Sequence, residues 1–153
     1  MNEQFLEERR KFIVQFEKGL NVVLSTSHND FVTSRTVTLI PFKEALYLTS
    51  IKRPGAIKIE QIEKNPNVAI CFNTTQITGT ATIIGLVSAE QNTGITTLYK
   101  EKLPESFERF AIVPSAVFIK IDVSLCKSWK MVNSHVELTA IDFENQTIEK
   151  NTI

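Results

Sequence analysis

The alternating run FVTSRTVTLI constrains the fold of this chain more than any other feature. Side chains along a β-strand point to opposite sides in turn, so Arg35, Val37 and Leu39 share one face. A strand-like run also precedes this one, NVVLSTS, and another follows it, ALYLTS. Only the short segments SHND and FKE, both typical of turns, lie between the three. Three consecutive strands joined by short turns predict an antiparallel meander.

Helices and further strands follow from the rest of the chain. Apolar residues at helical spacing predict an amphipathic helix over residues 3–18, with Gly19 as its C-cap. A second helix is predicted over residues 55–64, where the pair Asn65-Pro66 ends it. Other strands are predicted at 68–72, 76–87, 116–130 and 136–143, with a short one at 147–150 left open, and helical segments at 90–101 and 105–111.

These elements describe one domain over residues 1–153, of the α+β class. About six to seven mostly antiparallel strands would close into a small barrel, because closure removes exposed sheet edges. A helix opens the chain, and further helices connect the strands. Gly79 and Gly85 lie inside one long predicted strand, where they indicate bulges that let the barrel curve.

The charge balance and the two cysteines narrow the class of protein. Lys plus Arg and Asp plus Glu number 17 each, so no overall basic charge argues for a nucleic-acid partner. Cys71 and Cys126 do not make a disulfide framework, and Cys71, within the apolar run VAICF, is predicted to be a buried, reduced thiol. The charged opening and the lack of a membrane-length apolar run predict a cytoplasmic protein with no membrane partner.

A local cluster of basic residues predicts an anion pocket. Arg35 lies on an otherwise apolar strand face, where a guanidinium is costly unless an anion meets it. Lys52, Arg53 and Lys58 follow around a Pro-Gly turn at the start of the second helix. Together with the helix N-terminus they suggest a phosphate site. The alternatives are a cross-strand salt bridge for Arg35 and ordinary solvent exposure for the other three.

The residues show no conventional catalytic constellation. His28 and His135 lie in predicted polar segments, away from any metal-ligand spacing, and are taken as surface residues rather than metal ligands. Glu60 and Glu63 fit a solvated helix face better than an acid/base pair. No catalytic residue can be assigned, and no metal site is predicted. If the protein performs chemistry, a bound organic cofactor would supply the reactive atoms.

At this point the sequence resembles a known family, the pyridoxamine 5′-phosphate oxidase-like, FMN-binding split barrels, and its short firmicute members most of all. The resemblance rests on the order and spacing of SRTVTLI, LYLTS, the pattern KxxQIxxNPxVAxxF, QITGTA and a late strand that ends in Trp129. It covers nearly the whole chain. The family resemblance implies a split β-barrel and an FMN cofactor.

The resemblance also implies roles for single residues around the FMN phosphate. Arg35 matches the arginine of the family's R-x-V strand, and Lys58 matches a lysine that contacts the phosphate. Thr49 and Ser50 end a strand, where their hydroxyls would contact the phosphate or cap the next helix. Ile57 stands where the family usually has an arginine, so one phosphate contact is missing. Lys52 or Arg53 would replace it by folding back.

Further positions are matched to the flavin ring. The backbone of Thr36, Val37 and Thr38 would run beside the ring, and Leu48 and Thr49 match the pair that closes the next strand onto the flavin. Gln76 lies near a position where many members place a glutamine against the ring.

Trp129 resembles a tryptophan that reaches the flavin of the other subunit, although ordinary interface packing explains it equally well.

The resemblance implies a homodimer with FMN at the subunit interface and an oxidoreductase that transfers hydride or electrons between the flavin and a small-molecule substrate. The C-terminal region lacks the motif that holds pyridoxamine phosphate, and His135 and Lys130 are poor substitutes for it, so oxidation of that vitamer is not expected. The alternative is a non-catalytic carrier or sensor of flavin or haem. FAD and the deazaflavin F420 remain open as occupants.

Overall fold

A computed structural model describes residues 2–153 and shows eight strands with three main helices. The strands are β1 Leu20–His28, β2 Phe31–Phe42, β3 Ala45–Ile51, β4 Asn67–Phe72, β5 Thr75–Leu86, β6 Ala116–Val132, β7 His135–Asp142 and β8 Thr147–Thr152. The helices are α1 Glu3–Val14, α2 Ile57–Lys64 and α3 Thr93–Lys102, with short helical turns at Glu90–Asn92, Pro104–Ser106 and Phe107–Ala111, the last of π type.

Six of the strands close into an antiparallel barrel. Their order is β3-β2-β1-β4-β5-β6, and pairing of β3 with β6 joins the two ends. β7 and β8 extend the sheet beyond β6. The predicted α+β barrel with an N-terminal helix is therefore confirmed, and the segment left open near the C-terminus forms an eighth strand.

The barrel is split between β2 and β3. β2 pairs with β1 along its length from Phe31 to Leu39, but with β3 only at Ile40, Pro41 and Phe42. β3 instead pairs with β6 from Leu46 to Ile51. One edge of β2 is consequently not paired with β3 over most of the strand, and a gap opens beside Arg35.

Alternation of side chains produces the core, as the sequence predicts. In β2, Leu39 is fully buried and Val37 packs against the main core cluster, while the side chains of Ser34 and Thr36 are exposed. Phe5, Phe12 and Phe16 of the N-terminal segment are buried in the same core cluster. Arg35 shares the inward-facing side of β2 and is only half-buried.

Glycines mark the two irregularities of β5, in agreement with the predicted bulges. The pairing register with β6 shifts between Thr78 and Gly79 and again between Ile83 and Leu86. A Cβ atom at Gly79 would lie 2.3 Å from the backbone oxygen of Asp122, so only glycine allows this approach. Gly85 has a φ of 97°, a backbone conformation that side chains disfavour.

Two sequence-based expectations about local structure are wrong. The first helix ends at Val14 with Gln15 as its C-cap, and Gly19 instead takes a positive φ in the turn into β1. Cys71 is exposed, because β4 alternates and turns Val68 and Ile70 inward while Cys71 points outward. The buried thiol is Cys126, whose pKa burial raises to about 11.

Both cysteines are free, in agreement with the absence of a disulfide framework. Among residues 2–153, no helix has the length and apolar character needed to cross a membrane.

Candidate functional site

A cleft of about 450 Å³ opens at the split of the barrel. Strand β2, the end of β3, the turn after it, the first residues of α2 and the π-helical turn together form its walls. The lining residues are Arg35, Thr49, Ser50, Ile51, Arg53, Gly55, Ala56, Ile57, Lys58 and Phe110. The structure thus brings together five residues predicted for the phosphate site: Arg35, Thr49, Ser50, Arg53 and Lys58.

The guanidinium of Arg35 is anchored on one side and free on the other. Its Nη1 donates to the backbone oxygen of Leu24 at 3.2 Å and to Oγ1 of Thr26 at 2.8 Å, and its Nη2 donates to Oγ1 of Thr33. An arginine carries five N–H donors, so Nε–H and one Nη2–H remain. These two lie on the same edge of the guanidinium plane and form a bidentate donor pair suited to a phosphate or carboxylate.

Lys58 adds a second positive charge close to Arg35. Burial lowers the pKa of the Lys58 ammonium, and the charge of Arg35 lowers it further. Burial also lowers the pKa of the Arg35 guanidinium. Both shifts describe cations that are partly removed from water without a compensating negative charge.

No carboxylate is among the residues that line the cleft, although that of Glu60 accepts a hydrogen bond from the lining residue Gly55. None of its lining residues is Asp or Glu, and within residues 2–153 Arg35, Arg53 and Lys58 take part in no ion pair within 4.0 Å. The predicted alternative for Arg35, a cross-strand salt bridge, is therefore not what the structure shows. An anion from outside the chain would meet three uncompensated cations here.

The N-terminus of α2 lies in the wall of the same cleft, which Ala56, Ile57 and Lys58 line. Ala56 precedes the helix and provides no side-chain cap, so the first N–H groups of α2 lack one. The backbone N–H of Gly55 is satisfied by Oε1 of Glu60 at 3.1 Å. The positive end of the helix dipole adds to the preference of the cleft for an anion.

Thr49 links the cleft to the helical connection between β5 and β6. Its Oγ1 lies 3.2 Å from the hydroxyl of Tyr99, which lies 2.8 Å from Oγ of Ser106. The buried Tyr99 therefore fixes the end of β3 against the segment that leads to Phe110.

Other predicted site residues lie elsewhere. Lys52 is 3.6 Å from Glu63 and lines a different cleft, so of the two candidates to fold back only Arg53 reaches the Arg35 cleft. Leu48 is buried in the core, where only its backbone could meet a ligand. Val37 also faces the core.

The outward-facing residues Thr36, Thr38 and Gln76 lie on the outer surface of the barrel. Pairing across the strands places Thr36 beside Val23 and Gln76 beside Cys71, along one row of the sheet. Their side chains thus lie across the sheet from the Arg35 side chain. The unpaired backbone edge of β2, at Thr36 to Thr38, borders the split.

Trp129 lies in a second cleft, of about 360 Å³, between α1 and the strands β5 to β7. Its side chain is 46% exposed, and its backbone oxygen accepts a hydrogen bond from Oγ1 of Thr74 at 2.7 Å. Within one chain it does not line the Arg35 cleft. Contact with a ligand there would have to come from a second copy.

Sequence reasoning missed several wall residues of the Arg35 cleft. The sequence patterns do not indicate a role for Ile51, Gly55, Ala56 or Phe110, and they mark Ile57 only as the replacement for an arginine. Phe110 is 54% exposed and carries no local signal, because it comes from a distant helical turn.

Neither a known family profile nor a curated protein sequence matches the chain. Solved structures do match. General stress protein 26 from Bacillus anthracis is 25% identical, with a TM-score of 0.58 over 79% of this chain and 91% of that one. A pyridoxamine 5′-phosphate oxidase-related, FMN-binding protein from Nostoc punctiforme is 17% identical, with a TM-score of 0.59 over 98% and 93% of the two chains. HutZ, the haem storage protein from Vibrio cholerae, is 14% identical, with a TM-score of 0.58 over 80% and 89%.

Proposed function

Because the chain has the split-barrel fold of the pyridoxamine 5′-phosphate oxidase-related, FMN-binding proteins, we propose that it is a flavoprotein that binds FMN in the Arg35 cleft. The observation that carries this proposal is the free donor edge of Arg35 beside Lys58, in a cleft that no Asp or Glu lines. A phosphate monoester would satisfy both cations and the N-terminus of α2.

The remaining residues of the cleft fit the rest of such a ligand. The hydroxyls of Thr49 and Ser50 supply further donors to phosphate oxygens, while Ile51, Ile57 and Phe110 provide apolar walls. The unpaired edge of β2 offers backbone donors and acceptors, which suit the polar rim of a flavin ring. When bound, FMN would supply hydride and electron transfer with a small-molecule substrate.

A second copy of the chain would complete the site, and we propose a homodimer. The outward-facing residues of β1, β2, β4 and β5 form a continuous surface without charged side chains, although 22% of all residues are charged. Depletion of charge is typical of protein interfaces. These residues are Asn21, Val23, Ser25, Ser27, Val32, Ser34, Thr36, Thr38, Asn67, Ala69, Cys71, Gln76, Thr78, Thr80 and Thr82. Pairing through this surface would bring a second wall to the cofactor.

The alternative is a non-catalytic haem carrier, which the structural likeness to the haem storage protein HutZ favours. Haem iron is usually held by His, Cys, Met or Tyr. None of the residues lining the Arg35 cleft is of these types, and His28 and His135 lie outside it. The donor set of the cleft therefore fits a phosphate better than a haem iron.

The identity of the cofactor is tested by releasing it. The purified protein is denatured, and the small molecule set free is identified by absorption spectroscopy and mass spectrometry. We expect FMN at one per chain, in a particle that sedimentation velocity shows to be a dimer. A Soret band, or a released mass equal to haem, FAD or F420, would contradict the assignment of FMN.

Catalysis is tested next on the loaded protein. Bleaching of the flavin absorption by NADH or NADPH, followed by reoxidation on adding an acceptor, is the expected behaviour of an oxidoreductase. A flavin that stays oxidised with both donors would favour the carrier.

A further inference from the structure

A buried polar network lies behind Arg35. Gln61 on α2 and Thr26 on β1 are only 5% and 1% exposed, and Thr33 on β2 lies next to them. Oε1 of Gln61 accepts hydrogen bonds from Oγ1 of Thr26 at 2.5 Å and from Oγ1 of Thr33 at 2.7 Å. Its Nε2 donates to the backbone oxygen of Phe31 at 3.0 Å. Burying an amide this deeply is costly unless its hydrogen bonds are satisfied, and here they are.

The chemistry of the partners fixes the direction of the hydrogen bonds that Gln61 makes. The oxygen of Phe31 can only accept, so the amide must turn its NH₂ group toward Phe31 and its oxygen toward the two hydroxyls. Both hydroxyls then donate to Gln61, which leaves their lone pairs for the N–H groups of Arg35. The two hydroxyl oxygens also lie 3.4 Å apart, a longer contact than either makes with Gln61 and one in which either could donate.

The consequence for Arg35 is a fixed orientation. One edge of the guanidinium is held by Thr26 and Thr33, so the edge formed by Nε–H and Nη2–H keeps the donors left for a ligand in the cleft that Arg35 lines. We propose that Gln61 is a positioning residue that, through the hydroxyls of Thr26 and Thr33, orients Arg35 for bidentate binding of the cofactor phosphate. This inference rests on the proposed function, and it assigns a role to a residue that does not itself line the Arg35 cleft.

Gln61 suits this role better than other polar residues. A glutamate would leave a carboxylate oxygen against the oxygen of Phe31 and place a negative charge behind Arg35, where it would compete with the phosphate. A methionine would fill a similar volume but accept no strong hydrogen bond, so the hydroxyl protons would be free to rotate toward Arg35.

The experiment compares the affinities of apoprotein for FMN and riboflavin, which differ only by the phosphate, measured by quenching of flavin fluorescence. In Gln61→Met we expect the ratio of FMN to riboflavin affinity to fall about five- to tenfold, while riboflavin affinity stays within about twofold. Gln91→Met, at an exposed position, is the matched control and should leave both affinities unchanged. An unaltered ratio in folded Gln61→Met overturns the proposal, as does an equal loss for both ligands.

Two less disruptive substitutions in the same network test the proposal if Gln61→Met does not fold. Thr33→Val removes one hydroxyl at a position that is not fully buried, whereas Thr33→Ser retains it. The valine variant should lower the affinity ratio, and the serine variant should restore it. If both variants behave like the unmodified protein, the network does not position Arg35.

Binding of inorganic phosphate separates this inference from the proposed cofactor. The ¹⁵N NMR signal of Arg35 Nε–H should shift on titration with phosphate, and the shift should diminish in Gln61→Met or Thr33→Val. If the unmodified protein binds neither flavin but shows this pattern, the FMN proposal fails and the role of Gln61 stands. If phosphate moves the signal equally in all variants, or in none, the role of Gln61 is rejected.

Discussion

Two clefts of this molecule contain three Lys or Arg side chains each, but only one of the two leaves those charges uncompensated. In the cleft beneath α1, Lys150 lies 3.3 Å from Glu8, Lys11 lies 3.7 Å from the same carboxylate, and Lys130 lies 3.7 Å from Glu137. In the Arg35 cleft, no lining residue is acidic. The number of basic residues in a cleft is thus a poor guide to anion binding, and the absence of internal partners is a better one.

The lack of a compensating carboxylate in the Arg35 cleft is also reflected in the pKa of its lysine. Burial and mutual repulsion lower the pKa of Lys58, with Arg35 as the neighbouring charge. In the α1 cleft the carboxylates offset the lysines, and water reaches most of them. The energy needed to bring cations together in the Arg35 cleft would be returned when a phosphate binds.

Arg35→Ala is expected to have the largest effect and tests the comparison of the two clefts most strongly. We expect FMN affinity to fall by about 1.5–3 kcal/mol, the range for hydrogen bonds to charged groups. Thr26 and Thr33 keep their acceptor in Gln61, so the fold should be retained. Isothermal titration calorimetry measures the loss. Lys150→Ala, in the α1 cleft, is the control and should bind FMN normally. The assignment of Arg35 to the phosphate is contradicted if Lys150→Ala loses as much FMN affinity as Arg35→Ala, or if Arg35→Ala retains FMN unchanged.

Ile57→Glu would make the Arg35 cleft resemble the α1 cleft. The side chain of Ile57 is 48% exposed beside Lys58, so a carboxylate fits there without repacking the core. The new charge should pair with the nearby cations and weaken FMN binding by about 1–2 kcal/mol. Ile57→Gln has the same shape without the charge and should bind normally. If the two variants bind FMN equally well, uncompensated charge is not what the site uses.

Lys58→Met should cost about 1 kcal/mol of FMN affinity and change its pH dependence. Phosphate favours the charged ammonium, so affinity is highest below the pKa of free Lys58 and falls as pH rises through it. Because that pKa is lowered from 10.5, the fall should begin at a lower pH than for an ordinary lysine.

The pH profile of FMN affinity, measured from neutral to alkaline pH, checks this expectation. In Lys58→Met the alkaline fall should disappear, and in Arg35→Ala it should move to higher pH. Lys64→Met, on the exposed side of the same helix, should keep the original profile. If the pH profile of Lys58→Met is identical to that of the unmodified protein, Lys58 does not contact the phosphate.

The convergence of Arg35 and Lys58 could be predicted from the sequence because it depends on short-range rules. Strand alternation puts Arg35 on the inner face, and the Pro-Gly turn places the start of α2 beside it. The barrel followed from the same alternation and from short turns. Rules of this kind use neighbouring residues only. They fail where tertiary contacts decide the burial or the direction of a side chain.

The failures illustrate this limit. The hydrogen bonds of Gln61 join three separate segments, and no local pattern indicates them. Lys52 lies beside Glu63 and not in the Arg35 cleft, and no local pattern indicates which way its side chain turns. Cys71 was predicted to be buried because VAICF is apolar throughout, but only one face of β4 meets the core.

Glu8→Gln should have the smallest effect. The change releases Lys150 from its carboxylate and gives the α1 cleft a free cation, whereas Lys11 keeps its ion pair with Glu7 at 3.6 Å. Surface ion pairs contribute little, so we expect the free energy of unfolding to change by less than about 0.5 kcal/mol. FMN stoichiometry should remain one per chain, because the α1 cleft has no anchored guanidinium and no helix N-terminus to add to the lysines. A second bound FMN, detected by calorimetry of Glu8→Gln and absent from the unmodified protein, would show that uncompensated charge alone is sufficient.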